Sequence, residues 1–359
     1  MSFEDYHLMF QSRTPNATGG VPPTITELGT AKVKENLSWS RTIWEDGGEI
    51  NFSLQPDEIP DNIAERLVDL FYYPTEVKLY KGSTLAQQCV VTSCQVQGPT
   101  VTVQCRGLMY YTRYWFITSD LTYTLTDQYT IVKNLINHHQ NKTYGHFGID
   151  ASGIGASGVT LERGYKANRL HNIYQEIDRL AQRQNGFDYY VSIDDNRDLI
   201  LTDRRGVDRS ASVFLDSRGI FSPQISMSAA QRQVGSQALA VGHSFSNNPV
   251  TGATEDAAAL AAFGRAQIAE HFDTVPTQAE IDDIVAGLLD TSKNTIFSPG
   301  AFVMYPVVGA VPIDDFDVGD TVTWYYDAGL GVQNVSRDLQ SFQVSVNEDG
   351  EEKLNVEFV

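Results

Sequence analysis

Three groups of residues have the types and spacing to do chemistry. Gly153, Gly155 and Gly158 match G-x-G-x-x-G, in which glycines let a backbone approach a pyrophosphate at a helix N-terminus. No β-rich run precedes them and VTLERGYK after them is not an amphipathic helix, so the spacing predicts a turn-forming loop. Asp194, Asn196 and Asp198 have the D-x-N-x-D spacing that gathers oxygens around calcium. Leu199 stands where the sharp-turn glycine belongs and Arg205 where the bidentate glutamate belongs, so a hairpin turn is expected instead. His138, His139 and His146 could offer imidazoles to a metal, but no thiolate pair or H-E-x-x-H accompanies them. His139 continues an apolar helical stripe, and a protonated histidine suits a helix C-terminus, so packing and capping are the expected roles. No G-x-S-x-G marks a nucleophilic serine. With 45 acidic residues, carboxylate pairs carry no specific meaning. The sequence therefore designates no catalytic, cofactor-binding or metal-binding residue, and no cofactor.

The elements that would position these residues fall into three segments, 1–118, 119–210 and 211–359. In the first, LSWSRTIWEDGGEINFSL places two extended runs around Asp46-Gly47, a strong hairpin signal. A two-residue turn there sets Ile43 opposite Ile50, Arg41 opposite Phe52 and Trp39 opposite Leu54. A short helix follows, with Ile63, Leu67, Leu70 and Phe71 on one face between Pro60 and Pro74. EVKLY, QCVVTSCQVQ and TVTVQCRG then read as strands, the last alternating Val101, Val103 and Cys105 with polar residues. In the middle segment Asp127 caps a helix with apolar Ile131, Val132, Leu135 and Ile136. After the glycine loop comes a second helix, carrying Ile173, Tyr174, Ile177, Leu180 and Ala181, and then a hairpin across DDNRD.

The last segment carries an Ala-rich helical pattern, TEDAAALAAFGRAQIAEHF, and a second helix with Ile281, Ile284, Val285, Leu288 and Leu289. Thr277 and Glu280 form a capping-box pattern at its start. In the closing FQVSVNEDGEEKLNVEFV, the faces Phe342/Val344/Val346 and Leu354/Val356/Phe358 cannot oppose each other across a two-residue Asp349-Gly350 loop. An odd-length loop, with Val346 facing Leu354, is expected. The fold class is α+β and β-rich, with two small β-barrels flanking an inserted α+β domain.

Composition narrows the function. With 359 residues at ~150 per domain, two or three domains are expected, and 42% hydrophobic content supports a folded core. A net charge of −19 argues against a surface that grips nucleic-acid phosphates. Residues 1–118 carry 9 basic and 13 acidic side chains, 119–210 carry 11 and 12, and 211–359 carry 6 and 20, so the imbalance is C-terminal. The longest apolar stretch, Ala301 to Ile313, is shorter than the ~20 residues of a spanning helix and holds two prolines. The N-terminus carries Glu4 and Asp5 and no apolar signal region, so synthesis without secretion is expected. Cys89, Cys94 and Cys105, odd in number, read as free thiols of a reducing compartment.

Taken in order, several blocks resemble the central tail-tip hub proteins of long-tailed bacteriophages, especially the minor tail proteins of actinobacterial siphophages. LSWSRTIWEDGGEINFSL is similar to that family's opening hairpin, VTVQCRGLMYYTRYWFI to its strand and Tyr/Arg-containing segment, and TDQYTIVKNLI to its helix start. RGVDRSASVFLDSRG, ALAVGHSF, AAFGRAQIAEHFD, FDVGDTVTW, VQNVSRDLQSFQVSV and DGEEKLNVEF have counterparts in the same order. The resemblance implies a homotrimeric, non-enzymatic virion protein with two tube-like barrels per subunit. It would dock beneath a hexameric tail tube, beside the distal tail, tape measure and downstream tip or receptor-binding proteins, after assembly in the host cytoplasm. DNA would pass through without specific binding, and no membrane span is implied. The C-terminal charge excess suggests an acidic lumen with Glu348, Asp349, Glu351 and Glu352 of the final hairpin as candidate carboxylates, the alternative being that they solvate an outer surface. A receptor- or carbohydrate-binding tail module is the alternative, because exposed Trp and Tyr could stack on sugars.

Overall fold

The computed structural model describes residues 6–33, 35–43, 46–56, 59–68, 75–98, 100–216, 235–243, 248–272, 277–293, 316–327, 332–347 and 352–358. The first segment forms β1 (Tyr6–Thr14), β2 (Thr24–Lys32), β3 (Glu35–Thr42), β4 (Glu49–Leu54), α1 (Asp61–Val68), β5 (Thr75–Lys81), β6 (Thr84–Gln97) and β7 (Thr100–Gly107). A 3-10 helix over Leu108–Tyr114 leads into β8 (Leu121–Asp127), α2 (Gln128–Gln140), β9 (Thr160–Tyr165), α3 (Ile173–Ala181), β10 (Asp188–Val191) and β11 (Leu199–Thr202). The last segment holds β12 (Phe214–Asp216), β13 (Gln237–His243), β14 (Pro249–Glu255), α4 (Ala257–Phe263), β15 (Gln267–His271), α5 (Gln278–Lys293), β16 (Thr321–Asp327), β17 (Val332–Val346) and β18 (Glu352–Phe358). The class is α+β and β-rich.

Strands from both ends of the chain share one sheet, in the order β12-β16-β17-β3-β4-β7-β6-β5-β1-β2, with β18 on β17. The join is the antiparallel β3–β17 pairing, where Trp39 faces Val344 and Arg41 faces Phe342. Period-2 burial explains why these runs are strands: Val101, Val103 and Cys105 point into the core, as do Phe342, Val344 and Val346. Their core combines Tyr6, Leu8, Phe10, Trp39, Phe52, Trp324, Phe342 and Phe358. A second core gathers the 3-10 helix, α2, α3 and β9–β11 around Trp115, Leu135, Tyr165 and Tyr189. A third, smaller one packs α5 on β13–β15 through Ala238, Ala240, Ile281 and Val285.

Three expectations are corrected and one pairing is added. In the first hairpin Trp39 faces Ile50 rather than Leu54, and Ser40 faces Glu49. Asp46-Gly47 lies in a longer connection because the would-be ladder groups are taken elsewhere. Gln87 Nε2 donates to the carbonyls of Ser40 and Gly47, and Gly107 N donates to Gly48 O at 2.8 Å. The slip covers an even number of residues, so the apolar face is preserved. The closing hairpin does have an odd connection, 347–351, but Val346 faces Glu352 and Val344 faces Leu354. The Ala-rich pattern is not one helix: α4 ends at Gly264, whose φ of +76° suits glycine, and QIAEH continues as a strand parallel to β13. Its backbone pairs in parallel with β13 from Gln237↔Gln267 to Val241↔His271, and Ile268 packs against the third core, which outweighs helix propensity. LTYTLTD and TLERGY, unassigned in the sequence, pair as β8–β9.

The other helix expectations hold where they are described. Ile63 and Leu67 of α1 are buried, whereas Leu70, Phe71 and Pro74 lie outside the described residues. Asp127 caps α2, accepting from Tyr129 N and Thr130 N. Thr277 Oγ1 accepts from Glu280 N at 3.2 Å, one half of the capping box. The three cysteines are free. The Ala301 to Ile313 stretch and Asp349-Gly350 also lie outside the described residues. Among described residues no helix is long and apolar enough to cross a membrane.

Candidate functional site

The groups singled out by spacing do not converge. Ser157 N, Ser157 Oγ and Gly158 N, which a phosphate would need, all donate at 2.9 Å to Asp127 Oδ2. A strand, β9, follows the loop instead of a helix. Asp194 Oδ1 accepts from Ser192 Oγ, Asn196 N and Arg197 N, closing the β10–β11 turn in which Arg197 takes a positive φ. Among the described residues no set of three His, Cys, Asp or Glu side chains could hold a metal.

The histidines pack, as expected, but the charged-cap expectation is corrected. His139 stacks on Trp115 at 4.4 Å, and burial together with the Lys142 and His138 charges pushes its pKa down to about 4. Burial also lowers His138, which accepts from Thr118 N, and His146, which accepts from Gly148 N. All three are neutral at physiological pH. Apolar surroundings outweigh the helix-end field.

The chemistry with the strongest geometry is ionic and lies at the junctions between neighbouring cores. Val77 and Leu79 of β5 point into the first core, so Glu76 occupies the outer face of the strand. The middle segment covers that face, leaving Glu76 fully buried. Its carboxylate pairs with Arg13 of β1 at 2.7 Å and with Arg197 of the β10–β11 turn. It also accepts from Tyr111 Oη at 2.7 Å, Gln11 Nε2 at 2.8 Å and Gln88 Nε2 at 3.2 Å. Burial alone would raise this carboxyl, but the Arg197 and Arg13 charges, with hydrogen bonds from Arg13 and Tyr111, outweigh it and hold the pKa at about 2.

A second buried glutamate joins the second and third cores. Glu280 Oε1 accepts from Arg163 of β9 at 2.6 Å and from Arg183, just past α3, at 2.7 Å. Arg183 reaches Asp283 at 3.5 Å as well. At the junction with the last segment, Asp320 accepts from Val207 N at 2.8 Å and Arg209 Nε at 2.9 Å. Nearby, Asp317 meets Arg41 and Arg205 at 3.2 and 3.3 Å.

Glu352 corrects one lumen expectation. It is 3% exposed, accepts from Tyr6 Oη at 2.8 Å and pairs with Lys81, so it ties β18 to β1 and β5. Burying an unpaired carboxylate is costly, and these partners explain its place in the interior. Glu348, Asp349 and Glu351 lie outside the described residues. None of the junction glutamates was singled out from the sequence. TEVKLY alternates as a half-exposed strand does, and the only available signal was a charge set within it.

No protein-family model matches the chain, and comparison with curated proteins returns no match. Solved structures share its fold over nearly the whole length. The 43 kDa tail protein of prophage MuSo2 from Shewanella oneidensis is similar at 13% identity and a TM-score of 0.58, covering 99% of this chain and 98% of that one. A tail protein from Neisseria meningitidis MC58 aligns at 12% identity and a TM-score of 0.55, covering 99% and 96%. Prophage tail protein gp18 from Listeria monocytogenes EGD-e aligns at 14% identity and a TM-score of 0.51, covering 98% and 94%. The fold of this chain is therefore one found in prophage tail proteins.

Proposed function

We propose that this protein is a structural, non-enzymatic virion component, the tail-tip hub that joins the tail tube to the distal tip and forms part of the channel for genome exit. The observation that carries this reading is the fold likeness to tail proteins, two of them from prophages, which spans 98–99% of the chain. The actinobacterial siphophage resemblance agrees with it block by block.

In this reading the protein assembles as a homotrimer in the host cytoplasm. It contacts the distal tail protein, the tape measure protein and downstream tip or receptor-binding proteins. Residues 1–118 and 211–359 contribute the tube-like barrels, and 119–210 the insertion. The excess of carboxylates in residues 211–359 keeps a DNA path free of phosphate-binding cations. The test is localisation and copy number in intact particles by electron microscopy. Three copies at the tail tip are expected. Six copies or one, or a channel lined mainly by Lys and Arg, would overturn the reading.

A further inference from the structure

Three histidines lie at one joint of the molecule, where the C-terminal end of α2 meets the β1–β2 loop and residues 115–118. The loop reaches the joint through Gly20 N, which donates to Gln140 O at 3.0 Å, and through Asn16 O, which accepts from Tyr144 N at 3.0 Å. The approach is close, since a Cβ on Gly19 would lie 2.0 Å from Asn141 O. Residues 115–118 reach it through Phe116 O, which accepts from Lys142 Nζ at 3.2 Å.

Each histidine sits where only its neutral form fits. A backbone N–H can only donate, so His138 Nε2, 3.1 Å from Thr118 N, and His146 Nδ1, 3.0 Å from Gly148 N, carry no proton. His139 lies against Trp115 with the rings 6° from parallel, and its Nδ1 is buried without a hydrogen-bond partner. Protonation would remove two acceptors and bury a cation. The Trp115 face offers that cation partial compensation. The facing charges oppose it: Lys142 acts on His138 and His139, His138 acts on His139, and Arg13 of β1 acts on His146. Asp150 favours a charged His146, but burial and Arg13 outweigh it. Lys133, Asp195 and Arg197 line the same cleft as His146.

We propose that this joint is an acid-responsive hinge: in mild acid, protonation of His138, His139 and His146 frees the β1–β2 loop and residues 115–118 from the end of α2. The histidines bind protons more weakly in the closed joint than in an open one. Closure is therefore fully favoured above pH 6.5 and is lost as pH falls, for His139 down to about 4. Glu76 stays ionised over that range, because its carboxyl is held at about 2, so the strands behind the joint remain tied together.

The test is hydrogen exchange of the full chain at about pH 7.5 and about pH 5, corrected for the intrinsic pH dependence of exchange. Peptides covering 15–23, 115–118 and 141–148 should open about tenfold more at the lower pH, each unit of depressed pKa being a factor of ten. Peptides from β5 and β13 should change little. His139→Phe keeps a ring on Trp115 and cannot titrate, so it should lose most of the acid response. His138→Gln and His146→Asn, which retain a neutral acceptor, should each lose a smaller part. If His139→Phe does not fold, NMR titration of the wild-type imidazoles decides, with all three pKa values expected below 6.5 and His139 lowest. No acid response at these peptides, an equal response throughout the chain, an undiminished response in the folded variants, or a His139 that titrates at 6.5 or above would overturn the proposal.

Discussion

Two buried glutamates, each held between two arginines, join the cores of this protein, and they are built differently. Glu76 uses both oxygens: Arg13 and Tyr111 on Oε1, Gln11, Gln88 and Arg197 on Oε2. Glu280 takes both arginines on Oε1, and its Oε2 is buried with no hydrogen-bond partner. A buried charge is stabilising only when its remaining lone pairs are met. The junction between the first and second cores is therefore the firmer of the two. The junction with the third core is therefore expected to open first under stress.

The largest test of that contrast is to neutralise each glutamate. Glu76→Gln leaves Arg13 and Arg197 buried without a counter-charge and should cost about 3–5 kcal/mol in urea unfolding. Glu280→Gln should cost about 1–3 kcal/mol, because Asp283 still faces Arg183. Equal losses would break the comparison.

Acid provides the next test. The Glu76 carboxyl is depressed from 4.5 to about 2 in the folded chain, so its contribution is complete above pH 4.5 and is lost as pH falls toward 2. Linkage sets that contribution on the order of 3 kcal/mol. Urea midpoints measured between pH 6 and pH 3 should fall in the wild type and fall less in Glu76→Gln. Identical slopes would remove Glu76 as the acid-sensitive element.

A smaller effect probes the third core alone. A Cβ on Gly287 of α5 would lie 2.8 Å from both Gln182 O and Gln184 N, so Gly287→Ala should push α5 away from the second core. The expected cost is about 1–2 kcal/mol. Hydrogen exchange should speed up in α5 and β13–β15 while β5 and β6 stay protected. Faster exchange around Glu76 would mean that the two junctions are coupled.

The smallest effect is read from the thiols of the first core. Burial raises the pKa of Cys89 and Cys105, and less strongly that of half-buried Cys94. Alkylation should therefore modify Cys94 first. Glu76→Gln should speed modification of Cys89 and Cys105 several-fold, and Glu280→Gln should leave it unchanged.

Local pattern and capping chemistry were sufficient for most elements. The α2 and α3 helices, the alternation of β7 and the odd-length closing connection all follow from periods and side-chain faces within one short stretch. The glycine loop and the D-x-N-x-D turn were also legible as turns, because their missing partners are visible in the sequence itself. What tertiary structure decided is which face meets which. The register of the first hairpin depends on Gln87 and Gly107, about 40 to 60 residues away in sequence from the groups they bind. QIAEH became a strand because the edge of β13 was there to pair with it and the third core to take Ile268. Glu76 and Glu280 look like solvent-facing charges along their own elements, and they become interior only when another core covers that side. Covering a charge requires partners from distant segments, and no local spacing encodes which arginine will arrive.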